Sequence, residues 1–329
     1  MSRVVVFDRF GGPEVLQIVD DQVVEPTAGE VRIRIEAFAV NPLDAMMRSG
    51  ASPAPVALPG ARLGIEGTGT VDAVGPEVVG LQVGDPVIIT AIPDAQVRGS
   101  YADYTTLPAG WVVPRPPELD QTQAAAIWVG FSTAYGALLE TSTMRPNNRL
   151  LIAGASGAVG RAAIQVARQI GVIPLAITRD SSKTDELLAA GAASVIATDR
   201  DNLSAAVRDL TGGNGADLTL DLVGGPGQRD LVAATRAGGV LIAAGFLDPR
   251  PTPRPTDMSV TVVSYRGFDH LLEPAVVSRM AAFLNAGVRS GALNPAIDTV
   301  FGLDDIVEAH RRFDNGAHAG RKIVVTTGQ

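Results

Sequence analysis

The second half of the chain alternates between short apolar runs and stretches with helical periodicity. The runs have the length of strands, and they begin at intervals of about 20 residues, which suits one strand and one crossover helix each. They are Leu150–Ala153, Val172–Ile177, Ser194–Ala197, Asp217–Val223, Val240–Ala244 and Ser259–Tyr265. Such crossovers are right-handed and build a parallel sheet with helices on its faces. We therefore expect an α/β fold with a doubly wound parallel sheet.

A turn of small residues follows the first of these runs. Gly154-Ala155-Ser156-Gly157-Ala158-Val159-Gly160 comes directly after the strand candidate and opens a helix with one apolar stripe. Small residues let the backbone approach a pyrophosphate, and the helix N-terminus offers free N–H groups to it, with the Ser156 hydroxyl as a further donor. Glycines at such a turn can also serve packing alone. The strands around it favour a dinucleotide site.

The end of the second run bears on the choice of dinucleotide. Its last residues are Thr178-Arg179-Asp180-Ser181-Ser182-Lys183. An acidic residue here holds the ribose hydroxyls of NAD, whereas a basic one suits the 2′-phosphate of NADP. We favour NADP, bound through Arg179 and Lys183. The alternatives are that both are ordinary surface charges, or that Asp180 binds a ribose.

Two carboxylates on the fourth run have the spacing of a catalytic pair. Asp217 and Asp221 are four residues apart, and the second lies where the strand ends. The structural interpretation is favoured over the catalytic one: one carboxylate caps a loop and the other supports the edge of the sheet.

The first half has the period of β-strands. Residues 31–37 alternate strictly, with Val31, Ile33, Ile35 and Ala37 on one face and charged residues on the other. Further strand-sized runs are separated by Gly and Pro; they are Thr68–Val74, Pro86–Ile92 and Tyr101–Leu107. This half is predicted to be a compact, mostly antiparallel β domain.

The tail of the chain returns to the character of the first half. Strand, helix and strand signals follow one another over Ala296–Phe301, Leu303–Phe313 and Arg321–Thr326. We therefore predict that the second domain is inserted in the first. The expected division is 1–122 with 290–329 for the β-rich domain and 123–289 for the dinucleotide-binding domain.

Composition excludes several classes of function. The formal net charge of −8 gives no electrostatic footprint for nucleic acid or an anionic membrane. The chain has no cysteine, which removes disulfides, thiolate catalysis and cysteine-bound zinc. No apolar run has the length of a membrane span, and the N-terminus lacks signal-peptide character, so a cytoplasmic protein is expected. His310 and His318 are expected on the surface.

Motifs along nearly the whole chain resemble the zinc-independent quinone oxidoreductase branch of the medium-chain dehydrogenase/reductase superfamily. Their order and spacing carry the resemblance; they are residues 10–16 (FGGPEVL), 41–44 (NPLD), 48–50 (RSG), 64–71 (GIEGTGTV), 83–87 (VGDPV), 99–104 (GSYADY), 133–135 (TAY), the glycine loop and 320–325 (GRKIVV). The resemblance implies a GroES-like catalytic domain, a Rossmann domain, a cofactor in the cleft between them, and a homodimer formed through the edge strand Ser259–Gly267.

The resemblance also implies positions for the cofactor. Thr133 is expected near the nicotinamide, and Lys322 is expected to close the cleft. Arg179 and Lys183 are expected at the 2′-phosphate. The remaining positions are Ser156, Gly157, Ala158 and Val159 at the pyrophosphate and Val223, Gly245 and Phe246 at the nicotinamide ribose.

The chain departs from its relatives at positions that matter for mechanism. Zinc-dependent relatives have Cys in the segment where this chain has Asn41-Pro42-Leu43-Asp44, and His where it has Ile65. No metal is therefore expected. Quinone oxidoreductases often carry Tyr at the position of Met46, and a thioether cannot donate the hydrogen bond that a phenol can. Met46 and Met47 either form an adaptable apolar wall or pack in the core.

The remaining chemistry is hydride transfer from NADPH to a conjugated acceptor, with the cofactor carrying the reaction. Asn41 is the candidate hydrogen-bond donor, unless it only holds the turn before Pro42. The predicted apolar pocket suits a small quinone or carbonyl substrate; it consists of Met46, Ile92, Trp128 and Phe131. The leading function is reduction of quinones or α,β-unsaturated carbonyls. An enoyl-thioester reductase and a non-catalytic NADPH-binding protein remain as alternatives.

Overall fold

The computed structural model describes residues 2–90, 92–253 and 259–328, which form two compact units. Unit 1 comprises the described residues of Met1–Val129, Leu271–Arg289 and Asn294–Gln329. Unit 2 comprises those of Gly130–His270 and Ser290–Leu293. The sequence prediction placed 271–289 in the second domain, whereas the structure assigns it to unit 1. Helical periodicity identifies an apolar stripe but not the domain against which it packs.

Unit 1 is built from antiparallel strands and a parallel pair at one edge. Its strands are β1 (Ser2–Phe7), β2 (Gln17–Asp21), β3 (Glu30–Ala39), β4 (Ala61–Arg62), β5 (Gly67–Val74), β6 (Pro86–Ile89), β7 (Tyr104–Pro108), β8 (Val112–Pro114), β15 (Ile297–Gly302) and β16 (Lys322–Thr326). One sheet has the order β2-β1-β4; the other has the order β15-β16-β3-β5-β6-β8, with β7 also paired to β3. The C-terminal strand β16 therefore lies beside β3, from the first part of the chain.

Strand β3 is the centre of the larger sheet, as its alternating sequence predicts. Val31, Ile33, Ile35 and Ala37 are fully buried on one face. The charged residues between them pair on the other face, where Arg32 Nε lies 2.6 Å from Asp72 Oδ2. The predicted division of residues 31–37 between a buried apolar face and a charged face is confirmed.

Four helices lie within unit 1: α1 (Pro42–Ser49), α2 (Ala95–Arg98), α9 (Pro274–Arg289) and α10 (Ile306–Asp314). The sequence analysis did not predict α1, although its signals are present. Asn41 is the N-cap, Pro42 is the first helical residue, and Asp44 completes a capping box. Gly50 ends the helix with a φ of 82°, a conformation that glycine adopts without strain.

The six-stranded sheet of unit 2 is entirely parallel. Its strands are β9 (Arg149–Ala153), β10 (Ile173–Thr178), β11 (Ser194–Ala197), β12 (Ala216–Asp221), β13 (Thr235–Ala243) and β14 (Thr261–Ser264). Their order is β11-β10-β9-β12-β13-β14, which is that of a doubly wound dinucleotide-binding fold. Each predicted strand of this half has a counterpart here, and the predicted α/β fold class is confirmed.

The helices of unit 2 connect these strands. They are α4 (Ala158–Gln169), α5 (Thr184–Ala189), α6 (Leu203–Leu210) and α7 (Gln228–Ala234); α3 (Gln121–Tyr135) and α8 (Gly267–Leu271) each contribute residues to both units. A π-helical turn, Gly136–Glu140, follows α3 directly. Among the described residues, no helix is long and apolar enough to cross a membrane.

His310 corrects one expectation. Predicted on the surface, it is fully buried on α10, and its Nε2 lies 3.3 Å from the hydroxyl oxygen of Tyr101. Burial lowers the pKa of His310 to about 3, with the charge of Arg48 acting in the same direction. The imidazole is therefore neutral and serves the core. Helical position alone did not reveal which face His310 occupies.

Candidate active site

The carboxyl ends of the parallel strands meet at one edge of unit 2. Asp221 is paired with Ala153 on one side and with Ala243 on the other, and Ala243 is paired with Ser264. The residues that follow these four therefore leave the sheet at the same level. Ligands of open α/β sheets bind at this edge. The glycine loop and the predicted nicotinamide positions Val223 and Gly245 all belong to it.

The glycine loop makes a tight turn between β9 and α4. Gly154 has a φ of +72°, and its carbonyl accepts a hydrogen bond of 3.0 Å from the amide of Gly157. A Cβ on Gly160 would stand 2.4 Å from the Gly154 oxygen, so this position packs the helix directly on the loop. A Cβ on Gly157 would meet only that oxygen, at 3.4 Å.

The predicted pyrophosphate residues lie where the loop becomes a helix. Gly157 is the N-cap of α4, and the helix begins at Ala158. The amides of a first helical turn have no partner within the helix, which makes them donors for an anion. Ser156, Ala158 and Val159 are half-buried. The loop thus fits a pyrophosphate both in shape and in its donors.

Arg179 and Lys183 follow β10, the strand next to β9. Arg179 is exposed and Lys183 is half-exposed, and within the described part of the chain neither takes part in a salt bridge. The carboxylate of Asp180 caps its own turn by accepting a 2.9 Å hydrogen bond from the amide of Ser182. That bond, with the Ser182 side chain, lowers the pKa of Asp180. Two cations at this place suit a phosphate better than a ribose diol.

Asp221 fixes the turn that carries Val223 and Gly245. One carboxylate oxygen accepts from the amides of Val223 and Gly224, at 3.0 and 2.9 Å, and the other accepts from Gln228 Nε2. Its backbone oxygen accepts from the amide of Gly245. A Cβ on Gly245 would stand 1.9 Å from the Leu222 carbonyl carbon, so only glycine fits there. Asp221 is thus engaged in structure, and Asp217 likewise pairs with Arg236.

Two other predicted cofactor residues differ in exposure. Thr133 is half-buried on α3, and its hydroxyl oxygen stands 3.2 Å from where a Cβ of Gly267 would be. Phe246 is 57% exposed. Their roles toward a nicotinamide stay predictions.

A buried polar cluster occupies unit 1, formed by Asn41, Glu66 and Lys322. Glu66 is fully buried, and one of its oxygens, Oε1, contacts Lys322 Nζ and accepts a 3.0 Å hydrogen bond from Asn41 Nδ2. Lys322 Nζ also donates to Asn41 Oδ1 at 2.7 Å. The amide of Val129 donates to the other Glu66 oxygen at 2.9 Å. The cluster balances one ammonium against one carboxylate and gives each of them a second hydrogen-bond partner.

Asp44 lies beside this cluster at the start of α1. Its two oxygens accept from the amides of Asn41, at 2.8 Å, and Gly64, at 3.0 Å. Complete burial, with a smaller contribution from the neighbouring Glu66 charge, raises the pKa of Asp44 to about 7, although the two amides act against the shift. Asp44 therefore ties the start of α1 at Asn41 to the backbone of the separate segment at Gly64.

The predicted pocket residues are mostly buried. Ile92, Trp128 and Phe131 are at most 3% exposed, and Met46 is half-buried on α1. Trp128 Nε1 has no hydrogen-bond partner among the described residues. Met47 is buried and packs in the core. Met46 is only half-buried, so the interpretation as part of an apolar wall applies to Met46 alone.

The structure joins two residues that the sequence analysis assigned separately. Asn41 was predicted as a donor to substrate and Lys322 as a cofactor ligand, and here they contact each other and Glu66. Glu66 was quoted within a motif but given no role. One sequence signal could have identified Glu66. It is a charged residue in a segment of small and apolar residues that leads into a strand, and a charge that is buried there needs a partner.

Comparisons with known proteins agree with both units. Residues 27–117 match the family model of the alcohol dehydrogenase GroES-like domain, and residues 190–325 match that of the zinc-binding dehydrogenase. These models describe the two domains of medium-chain dehydrogenases/reductases. The quinone oxidoreductase of Lama guanicoe is 31% identical over 99% of this chain and 97% of its own length, and that of Pseudomonas aeruginosa is 31% identical over 94% and 95%. The chain belongs to the quinone oxidoreductase family.

Solved structures show the same fold. The quinone oxidoreductase of Pseudomonas syringae has a TM-score of 0.88 and 26% identity, covering 99% of this chain and 100% of that one. A mycobacterial protein solved in complex with NADPH has a TM-score of 0.86 and 28% identity over the same shares. The resemblance inferred from sequence motifs is confirmed.

The description of the second family model raises the question of whether the residues fit zinc. The chain has no cysteine, and Ile65 and the segment 41–44 (NPLD) stand where the family resemblance places the ligands of zinc-dependent relatives. The Lys322 ammonium contacts Glu66 and would repel a divalent cation. Among the described residues, no group of three or more His, Asp or Glu side chains is placed to hold a metal ion. The residues present do not fit a zinc ion.

Proposed function

We propose that this chain is an NADPH-dependent reductase of quinones and α,β-unsaturated carbonyls that works without zinc. The observation that carries the proposal is the presence of both the glycine loop after β9 and the basic residues Arg179 and Lys183 after the neighbouring strand β10. The first suits a pyrophosphate, and the second suits a 2′-phosphate. The NADPH complex of the mycobacterial relative supports the same cofactor.

Each group of residues has a proposed task. The first turn of α4 binds the pyrophosphate, and the turn held by Asp221 places Val223 and Gly245 at the nicotinamide ribose, with Thr133 close to the ring. NADPH supplies a hydride when bound. Conjugation spreads the charge that develops on the acceptor oxygen, so a hydrogen-bond donor suffices and solvent supplies the proton.

Asn41 remains the predicted donor from unit 1. The structure shows, however, that its side-chain amide is already engaged in hydrogen bonds, which the sequence did not predict. Its Nδ2 already donates to the backbone oxygen of Ala39, at 3.1 Å, and to Glu66. Because an amide has two N–H groups, a contact with substrate would have to displace one of these bonds. Lys322, held against the Asn41 oxygen, keeps the amide in this orientation.

The first experiment compares NADPH and NADH binding and then follows NADPH oxidation. The acceptors are 1,4-benzoquinone, 9,10-phenanthrenequinone, 2-cyclohexenone and crotonyl-CoA. Tighter NADPH binding with turnover of a quinone or the enone supports the proposal. Turnover of crotonyl-CoA alone indicates an enoyl-thioester reductase. Binding without turnover of any acceptor indicates a non-catalytic NADPH-binding protein, and either result overturns the proposal.

Arg179→Ala tests the phosphate assignment. We expect Kd for NADPH to rise about 10-fold or more and Kd for NADH to change little, because only NADPH carries the 2′-phosphate. Arg208→Ala, which removes an exposed charge from α6, is the matched control. Equal losses for both cofactors in Arg179→Ala contradict the assignment.

A further inference from the structure

Tyr265 places a buried hydroxyl at the edge where the parallel strands end. It follows β14, and its amide donates to the backbone oxygen of Ala243 at 2.9 Å. The side chain is 6% exposed, yet its hydroxyl has no hydrogen-bond partner among the described residues. A buried polar group without a partner destabilises the folded state. Such a group needs an explanation in function or in structure.

A second unpartnered atom lies beside it. His270 Nδ1, on α8, has no partner within the described part of the chain either, and the two ring centroids are 5.5 Å apart. Both atoms converge on Gly136: a Cβ there would stand 1.9 Å from the Tyr265 hydroxyl oxygen and 3.1 Å from His270 Nδ1. Because residue 136 is glycine, the hydroxyl reaches the helix backbone itself.

The same surface continues to the predicted nicotinamide residue. Thr133 precedes Gly136 by three residues on α3, and it faces Gly267 in the segment that carries Tyr265 and His270. Gly136 begins the π-helical turn, in which its oxygen accepts from the amide of Thr141 at 2.9 Å. Such turns occur frequently at functional sites. Two unpaired polar atoms thus lie one helical turn from Thr133, the residue predicted to stand near the nicotinamide.

We propose that the Tyr265 hydroxyl donates a hydrogen bond to the carbonyl oxygen of the electron acceptor, with His270 Nδ1 as the second polar group of this subsite. The inference rests on the proposed function and adds to Asn41 a second donor, from unit 2, in a chain that has methionine instead of tyrosine at position 46. Negative charge develops on the acceptor oxygen as the hydride arrives on carbon, and a donor held in place stabilises that charge.

The surroundings keep this hydroxyl a donor. Burial raises the pKa of the Tyr265 phenol well above its usual value, and the carboxylates of Asp269 and Glu140 act in the same direction. The phenol therefore stays protonated at neutral pH. It acts by hydrogen bonding, and the proton of the reduced product comes from solvent.

Tyr265→Phe tests the proposal. We expect kcat for the best acceptor to fall about 100-fold, while Kd for NADPH is unchanged and the thermal midpoint is unchanged or higher, because an unpaired hydroxyl is removed. Tyr104→Phe, in β7 of unit 1, is the matched control. A kcat of Tyr265→Phe within about twofold of wild type overturns the proposal. Absence of turnover by the wild-type protein is a different result, which rejects the proposed function itself.

Gly136→Ala is the second variant. Its methyl group would displace the hydroxyl, so it should reduce kcat as Tyr265→Phe does. Combining the two should cause no greater loss than either alone, because both remove the same hydrogen bond. Multiplying losses would show that Gly136 and Tyr265 act separately, and would overturn the assignment of their contact to this subsite.

Discussion

At the scale of single residues, the most notable feature of unit 1 is the buried ion pair of Lys322 and Glu66. Lys183 and Lys322 are the only lysines in a chain whose other basic side chains are arginines and histidines. An ammonium is compact and directs three donors from one atom, which suits two oxygens in a closed space better than a planar guanidinium does. At position 322 it contacts Glu66 and Asn41 together.

Lys322→Met should destabilise the protein by about 3–5 kcal/mol, because Glu66 would be left buried without its counterion. Adding Glu66→Gln to it should recover much of this loss, since the uncompensated charge disappears. Urea denaturation with an unchanged m-value measures both effects. Lys183→Met, which removes the half-exposed lysine, is the control and should cost less than about 0.5 kcal/mol. An equally small effect of Lys322→Met contradicts the assignment.

Among the elements, the β9–α4 connection shows how two glycines of one motif differ. Gly160 lies against the Gly154 oxygen and Ala155 Cα, which a Cβ would approach to 2.4 and 2.6 Å. Gly157 has room for a Cβ at an ordinary distance and a φ of −75° that any residue adopts. We infer that Gly160 serves packing and that Gly157 leaves space for a ligand.

Gly160→Ala should therefore lower the free energy of unfolding by about 1–3 kcal/mol through overpacking. Gly157→Ala should leave stability nearly unchanged and weaken NADPH binding. Thermal denaturation and cofactor titration of the two variants separate these effects. If Gly157→Ala bound NADPH as the wild-type protein does, the pyrophosphate would not approach this residue.

Sequence patterns predicted elements well where one physical rule dominates. Strand β3 and the parallel strands of unit 2 follow from alternation and from apolar runs of strand length, because burial sets both patterns. Helix α1 was missed although Asn41, Pro42 and Asp44 form its cap, since its eight residues span only about two helical turns. The contacts of Glu66 with Lys322, and of Tyr265 with Gly136, join distant parts of the chain. No local pattern encodes such pairs.

For the whole molecule, the edge of the six-stranded sheet leads to a prediction about assembly. Strand β14 is the last strand in its order, with Thr261 and Ser264 exposed and Val262 and Val263 half-buried. An edge strand presents unpaired backbone groups that another strand can extend. We propose that two copies pair here, as the family resemblance implies.

Light scattering at micromolar concentration should then give twice the chain mass of 34.0 kDa. Val263→Lys should shift the protein toward the monomer, because a charged edge strand resists pairing. Arg208→Lys, on the surface of α6, should leave the mass unchanged. A wild-type mass equal to one chain contradicts the dimer.

The pairing of β16 with β3 determines the order in which the two units can complete their folding during synthesis on the ribosome. Unit 2 has emerged almost entirely once its last strand, β14, has left the exit tunnel, and domains begin to fold as they emerge. The carboxylate of Glu66 is synthesised more than two hundred residues before the ammonium that neutralises it. Unit 1 therefore gains its central ion pair only after nearly all of unit 2 has been synthesised, and a chain cut short before Lys322 keeps a carboxylate that its own fold cannot bury at low cost.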